Sequence, residues 1–415
     1  MTDPVRRDVL AMGAGMTVAG GLSLLGPQPA RAGPAAAGPG PVGDGKADDT
    51  AALQRLFDTA FAGGSGRIVD LPAGAYRVTR PIRVNTRPRP DGNIVRPAGI
   101  RANGAVLLSE IGDGEPVLSI DARATLRYVL MEGLQIRGSG CDGAGLRISC
   151  QKRGAYFYNF CLRDLIVEGC GGDGIQLVGN VFEGQLINCY ARDNGHDGAL
   201  MAHGAEDTVL SAVHVLGSVF GGNRRNGLSL EDGAADISCH GCYFLLNGRF
   251  GLSADHGATL LSHCGFENNH EAAESFDKGD AGLRLMVGGT LVGCTAYSIR
   301  KQRDLLRAYV TNRLVMIGCT GAGDGDAGKA GLARLDGTET GSHTAIGCHG
   351  RIDAAAGVEP LELGGRDGGL RLGGRWDSAN LLSLGDHRLW IDSDGRLRMT
   401  RGMPKGDTDG TVIGG

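Results

Sequence analysis

The sequence predicts an all-β chain wound as a parallel solenoid. Three observations predict it: a recurring row of small residues, a recurring row of asparagines, and a glycine after each asparagine that opens an apolar-alternating run. Cys189, Ser218, Cys242 and Cys264 each stand five residues before Asn194, Asn223, Asn247 and Asn269. Gly198, Gly227 and Gly251 follow four residues after the first three asparagines, and Gly282 follows the fourth after nine inserted residues. An earlier copy reads Leu165, Cys170, Gly174, while Cys294, Cys319 and Cys348 continue the cysteine row. A period of 22 to 30 residues, made of short β-rich runs between glycine and asparagine turns, gives one coil per repeat. Equivalent positions then stack at roughly the 4.8 Å strand spacing. Asparagines at such a corner can bond up the stack, and they tolerate the left-handed backbone a tight corner needs.

Composition agrees with this reading. A solenoid grows by adding coils, so 415 residues need not mean several domains. The 73 glycines lack a collagen period and are interleaved with Val, Ile and Leu, which points to many turns. Aromatics at 5% suit a narrow core. A formal charge of −4 and the lack of a basic run weigh against a nucleic-acid partner. Seven of the eleven cysteines are read at one coil position as small buried core residues, so the Cys239-x-x-Cys242 spacing is taken as packing and not as a redox or metal motif.

In chain order, residues 1–32 read as an export signal. Arg6-Arg7 precede a weakly apolar stretch, and Ala30-Arg31-Ala32 is a small-x-small cleavage site. This twin-arginine pattern predicts a periplasmic or secreted protein with no membrane segment in its mature form. Residues 33–43 form a Pro/Ala/Gly linker. An amphipathic helix follows over 51–62, with Leu53, Leu56, Phe57 and Phe61 on one face and Asp48, Asp49 or Thr50 as its cap, placed to cover the open end of the solenoid. The coils fill the rest of 44–358. Residues 359–415 change to glycine-punctuated hairpins, read as a small C-terminal β-rich tail that caps the solenoid or joins copies into a homo-oligomer. The GAGDGDAG run within 321–331 is read as a solenoid corner.

The segment Gly43-Asp44-Gly45-Lys46-Ala47-Asp48-Asp49-Thr50, with the strand-turn-strand Val69 to Val78, resembles the opening of the pectate-lyase-like superfamily. That superfamily of right-handed parallel β-helix proteins includes polygalacturonases, rhamnogalacturonases and phage tailspike depolymerases. The resemblance implies a right-handed β-helix and a carbohydrate substrate.

Stacking the coils lines up polar residues in columns. In the first, Asp173 lies under Asp197 and Asn226, and His196 lies under Arg225 and Arg249, with Arg224 alongside. Two carboxyls on adjacent coils repel one another and split their pKa values, the arrangement general acid–base chemistry needs. Arginine forks suit uronate carboxylates. Asp173-Gly174-Ile175 and Asp197-Gly198-Ala199 also resemble the polygalacturonase pattern, which implies catalytic roles for Asp173 and Asp197. His196 stands where that family has a second acid, and Arg225-Asn226 where it has glycine-histidine. A lyase or epimerase with Arg225, Arg249 or His196 as base therefore stays open. The expected set is Asp173, His196, Asp197 and Arg225 as catalytic residues and Arg224, Asn226 and Arg249 as substrate contacts. A second column aligns His203, Asp232 and His256, with Glu231 beside Asp255, as further contacts.

The expected function is an exported enzyme that cleaves an acidic, uronate-containing polysaccharide by hydrolysis or β-elimination. No metal or other cofactor is expected, save Ca2+ for the elimination route. The rival reading is a non-catalytic glycan-binding or envelope-structural β-helix.

Overall fold

The computed structural model describes residues 39–61, 67–86, 97–205, 207–231, 233–255 and 259–269 and, between 281 and 413, mainly the strands and their flanking turns. The proposed export signal, most of the linker, and most of the 321–331 corner lie outside the described residues.

Three long parallel sheets, of 10, 11 and 13 strands, carry the chain, and each coil visits them in turn. The coil built on Asp173 is representative. Ile175–Gly179 lies in the second sheet, Val181–Ile187 in the third and Tyr190–Arg192 in the first, before Ala199–Ala202 returns to the second. Register is maintained from coil to coil: Ile175 pairs with Ala199, Ala199 with Leu228 and Leu228 with Leu252. The fold is a right-handed parallel β-helix. The last parallel strand, Leu361–Leu363, pairs with Thr344–Ile346, and a separate four-stranded antiparallel sheet begins at Leu382. There Trp390 is buried and Arg398 bonds the buried Asp392 at 2.5 Å.

The core follows from alternation within short strands. Each three-residue strand of the first sheet turns its middle residue inward, and Phe220, Phe244 and Phe266 stack there with ring centroids 5.4 and 4.9 Å apart. Such stacks add ~0.5–1.5 kcal/mol each beyond area burial.

The asparagine ladder forms as the spacing predicts. Nδ2 of Asn194, Asn223 and Asn247 donates to Oδ1 of the next asparagine at 3.0, 3.0 and 2.9 Å. The same oxygens accept the backbone N–H of the preceding rung, and each Nδ2 also donates to a carbonyl such as Ala191 O or Phe220 O. The strand-opening glycine has a physical cause. A Cβ on Gly198 would stand 2.5 Å from Gly227 O and 2.7 Å from Asn223 Nδ2, so the ladder leaves no room for a side chain.

Two expectations about these rows need correction. The left-handed residues are not the ladder asparagines but the residues just before them, Asp193, Gly222, Leu246 and Asn268. The bend is made one residue early so that the amide can point inward. Cys170 belongs to the asparagine row, since its N–H donates to Asn194 Oδ1 at 3.1 Å. The cysteine row therefore holds six members, Cys189, Cys242, Cys264, Cys294, Cys319 and Cys348, with Ser218 on the rung between Cys189 and Cys242. All eleven cysteines are free thiols, and burial pushes the Cys189 thiol up to about 12.

The helix spans Thr50–Phe61 and buries Leu53, Phe57, Ala60 and Phe61. It packs on strands of all three sheets in the first coil, Ile82–Asn85, Ala98–Arg101 and Gly74–Val78 among them, and so closes that end of the core. Asp48 Oδ1 accepts the Thr50 N–H at 3.0 Å, while buried Asp49 turns back to accept the N–H groups of Val42 and Gly43.

Candidate active site

The outer face of the second sheet carries the polar columns, and the structure separates them into a buried ladder and an accessible face. Asp173, Asp197 and Asn226 stack in register as the sequence predicts, but all three are buried, Asp197 completely. Asp142 Oδ1 accepts Gly171 N–H at 2.8 Å, Asp173 Oδ1 accepts Asp197 N–H at 2.9 Å, and Asp197 Oδ1 accepts Asn226 N–H at 2.8 Å. Asn226 Oδ1 then accepts Phe250 N–H at 3.1 Å. Each side chain thus satisfies one turn N–H of the coil above. The second oxygens are also occupied, Asp173 Oδ2 by Gln176 Nε2 at 2.7 Å and Asp197 Oδ2 by the Ser229 hydroxyl at 2.8 Å. Burial raises the Asp197 carboxyl above its ordinary value, against the opposing pull of Asn226 N–H, Arg225 and Ser229. These are turn-building carboxyls withheld from solvent, which corrects the expectation that they face a polymer.

The accessible face lies immediately beside this ladder. Glu231 ends the strand after Ser229, and Asp255 follows Ala254, the partner of Leu230, so the two carboxyls stand on adjacent coils. Their side chains are 35% and 37% exposed. Arg225 spans the two layers, with Nη2 3.6 Å from Glu231 Oε1 and Nε 3.7 Å from Asp197 Oδ1. That Nε is buried and makes no hydrogen bond. Arg284, one coil further, donates to Asp255 Oδ1 at 2.5 Å and to Ser253 Oγ at 2.9 Å. Two carboxyls and two guanidiniums therefore share one outward patch across three coils.

The remaining expected residues are distributed around this patch. His196, Arg224 and Arg249 are exposed at the corner that precedes it. His203 is half-buried with its ring over Gly233, where a Cβ would stand 3.0 Å from Cε1. Asp232 and His256 lie outside the described residues. Among the described residues, no group of three or more His, Cys, Asp or Glu side chains is placed to hold a metal ion. Sequence reasoning paired Glu231 with Asp255 but could not see Arg284, which reaches Asp255 from 29 residues away.

Comparison with known proteins agrees with this architecture. A family model for right-handed β-helix regions matches residues 125–297. A rhamnogalacturonase A/epimerase, pectate lyase-like model matches residues 39–119, and a capsule depolymerase model matches residues 343–415. No curated protein matches the sequence. Among solved structures, ORF18 of Geobacillus virus E2 superposes with a TM-score of 0.58 at 15% identity, over 90% of this chain and 74% of that one. PfbA, a surface adhesin of Streptococcus pneumoniae, gives 0.55 at 12% identity over 88% and 98%. Tailspike protein 2 of the Escherichia coli O157:H7 bacteriophage CAB120 gives 0.52 at 13% identity over 73% of this chain and 41% of that one. At these identities the structures speak for the fold alone, a right-handed parallel β-helix, and the family matches add a β-helix region at residues 125–297 and a pectate lyase-like segment at residues 39–119.

Proposed function

We propose that the protein is an exported enzyme that cleaves an acidic polysaccharide on the outer face of its second sheet, with Glu231 and Asp255 as the acid–base pair and Arg225 and Arg284 binding uronate carboxylates. The observation that carries this reading is the patch itself: two part-exposed carboxyls on adjacent coils, each approached by a guanidinium. The capsule depolymerase and rhamnogalacturonase-type matches support a polysaccharide substrate. A parallel stack also offers the same outward positions repeatedly along its axis, which suits a linear polymer.

The geometry admits two routes. Carboxyls ~5–5.5 Å apart serve a retaining glycosidase and ~6.5–9.5 Å an inverting one. For β-elimination, one carboxyl takes the proton next to the uronate carboxylate while Arg225 or Arg284 neutralises that carboxylate, and the other protonates the leaving oxygen. A bound Ca2+ would serve the same neutralising role in elimination. Twin-arginine export is part of this proposal and is checked by whether substituting Arg6-Arg7 with Lys-Lys retains the chain in the cytoplasm.

The test is product analysis on a panel of uronate polymers, with Glu231→Gln and Asp255→Asn compared with wild type. An unsaturated ultraviolet-absorbing end marks elimination and a plain reducing end hydrolysis. Each variant should lose about 10²–10⁴-fold in turnover while staying folded. Wild-type turnover in both would move the chemistry elsewhere. Polymer binding without product over long incubation would favour the non-catalytic glycan-binding reading, to which the likeness to an adhesin lends the only specific support.

A further inference from the structure

The outer face of the first sheet carries a row of tyrosines that the proposed chemistry does not use. Tyr190 pairs with Val219, and Val219 with Tyr243, so the two tyrosines occupy one outward position two coils apart. At the strand spacing this separates them by roughly 10 Å along the stack. Tyr243 pairs onward with Gly265 and Gly265 with Thr295, and Tyr297 follows two residues along the same strand on the same face. These three tyrosines are 40%, 56% and 55% exposed.

Lone exposed aromatics are ordinary, but these share one sheet face and lie in a prepared setting. The Tyr243 ring lies across Gly265: a Cβ there would stand 2.8 Å from Tyr243 Cε1 and 2.9 Å from Cδ1. The ring is thus held down on the sheet, with more than half of the side chain open to solvent. Between Tyr190 and Tyr243 stands only Val219, so the relief between them is low.

The neighbouring column supplies charge. Arg137, Glu168 and Arg192 pair in register, and both guanidiniums converge on the single Glu168 carboxylate, at 2.9 and 2.5 Å. The triad carries net positive charge, and Arg192 lies on the same strand and face as Tyr190. Further along this column stands Glu267, whose carboxyl burial pushes up, and which ends the cationic stretch.

We propose that this face is a second glycan-binding track, on which an extended acidic polysaccharide lies along the solenoid axis. Pyranose rings stack on Tyr190 and Tyr243, and a uronate carboxylate meets the Arg137–Arg192 pair. Two coils correspond to about two extended pyranose residues, so alternate sugars meet a ring. The track shares with the proposed function its class of polymer but none of its residues. It would hold a long chain on the protein between cleavage events on the second sheet.

The experiment is affinity electrophoresis of the full chain in gels cast with polygalacturonate, alginate or hyaluronate, alongside product release from short oligomers of the same polymers. Replacing both Tyr190 and Tyr243 with Ala should weaken retardation by about tenfold while leaving turnover of short oligomers unchanged. Tyr243→Phe should keep the binding, because stacking needs the ring and not the hydroxyl. Glu231→Gln should show the converse pattern, with retardation kept and product lost, so failure of the track and failure of the catalytic reading are distinguishable. Unchanged retardation in the double variant would overturn the proposal. So would equal losses in Tyr243→Phe and Tyr243→Ala, or a wild-type chain that none of the polymers retards.

Discussion

Asp197 decides whether the buried acidic column is architecture or chemistry, because one substitution separates the two. Asp197→Ala removes the acceptor of the Asn226 N–H and of the Ser229 hydroxyl, both at 2.8 Å. A buried donor left without a partner costs about 1–3 kcal/mol. The hydroxyl can rotate to another acceptor and the cost of burying a carboxyl disappears, so the expected net loss stays in that range. Asp197→Asn keeps a carbonyl oxygen for the Asn226 N–H, and Asn226 itself shows that an amide does this work when it accepts Phe250 N–H. Its cost should be within about 1 kcal/mol. The pH dependence adds a second signature. Burial raises the Asp197 carboxyl above 3.8, so its stabilising contribution is full below that value and is lost as pH rises through the folded value. Asp197→Asn should therefore be least costly near neutrality and most costly in acid. Urea unfolding followed by far-ultraviolet circular dichroism at pH 3.5 and 7 measures both effects. Asp197→Asn should also retain depolymerising activity. A variant as stable as wild type, with KM unchanged and so with Arg225 still in place, but slowed about a hundredfold or more in kcat would refute the ladder reading.

Two further outcomes test the stack itself. Asn223→Ala deprives Asn194 N–H and Nδ2 of their acceptor and leaves Ala191 O and Asn247 Oδ1 without the Nδ2 donor, so it should cost about 3 kcal/mol or more in the same unfolding assay, against under about 0.5 for an exposed substitution such as Lys152→Ala. In the native protein, a thiol reagent should label exposed Cys141 promptly and half-buried Cys161 and Cys348 slowly, with the other eight cysteines reacting only after unfolding and no mass change on reduction. Prompt labelling of the row from Cys189 to Cys319 would show that it does not lie in the core.

What the sequence shows of this molecule is its register, and what it hides is the direction in which a polar side chain spends its hydrogen bonds. The rows through Cys189 and Asn194 are legible because stacking repeats one chemical requirement at every coil, and a requirement repeated at a fixed offset leaves a mark in one dimension. The same logic misled at Asp173 and Asp197. A polar residue just before a strand-opening glycine is equally consistent with an outward carboxyl and with one folded under to cap the N–H of the coil above, and the choice depends on a donor 24 or 29 residues away in the sequence. Alternation gives the opposite outcome at Glu231 and Asp255. Each follows an inward residue, Leu230 and Ala254, at the end of a strand whose pleat leaves it facing outward, so their exposure could be read before the fold was seen. What alternation could not supply is the guanidinium each one meets. Arg225 lies across the corner from Glu231, and Arg284 arrives from the next coil. Such a patch becomes visible only when the register is combined with side-chain reach, and this is why the fold could be read closely from the chain while the accessible polar patch, and with it the proposed site, lies one column along the same sheet.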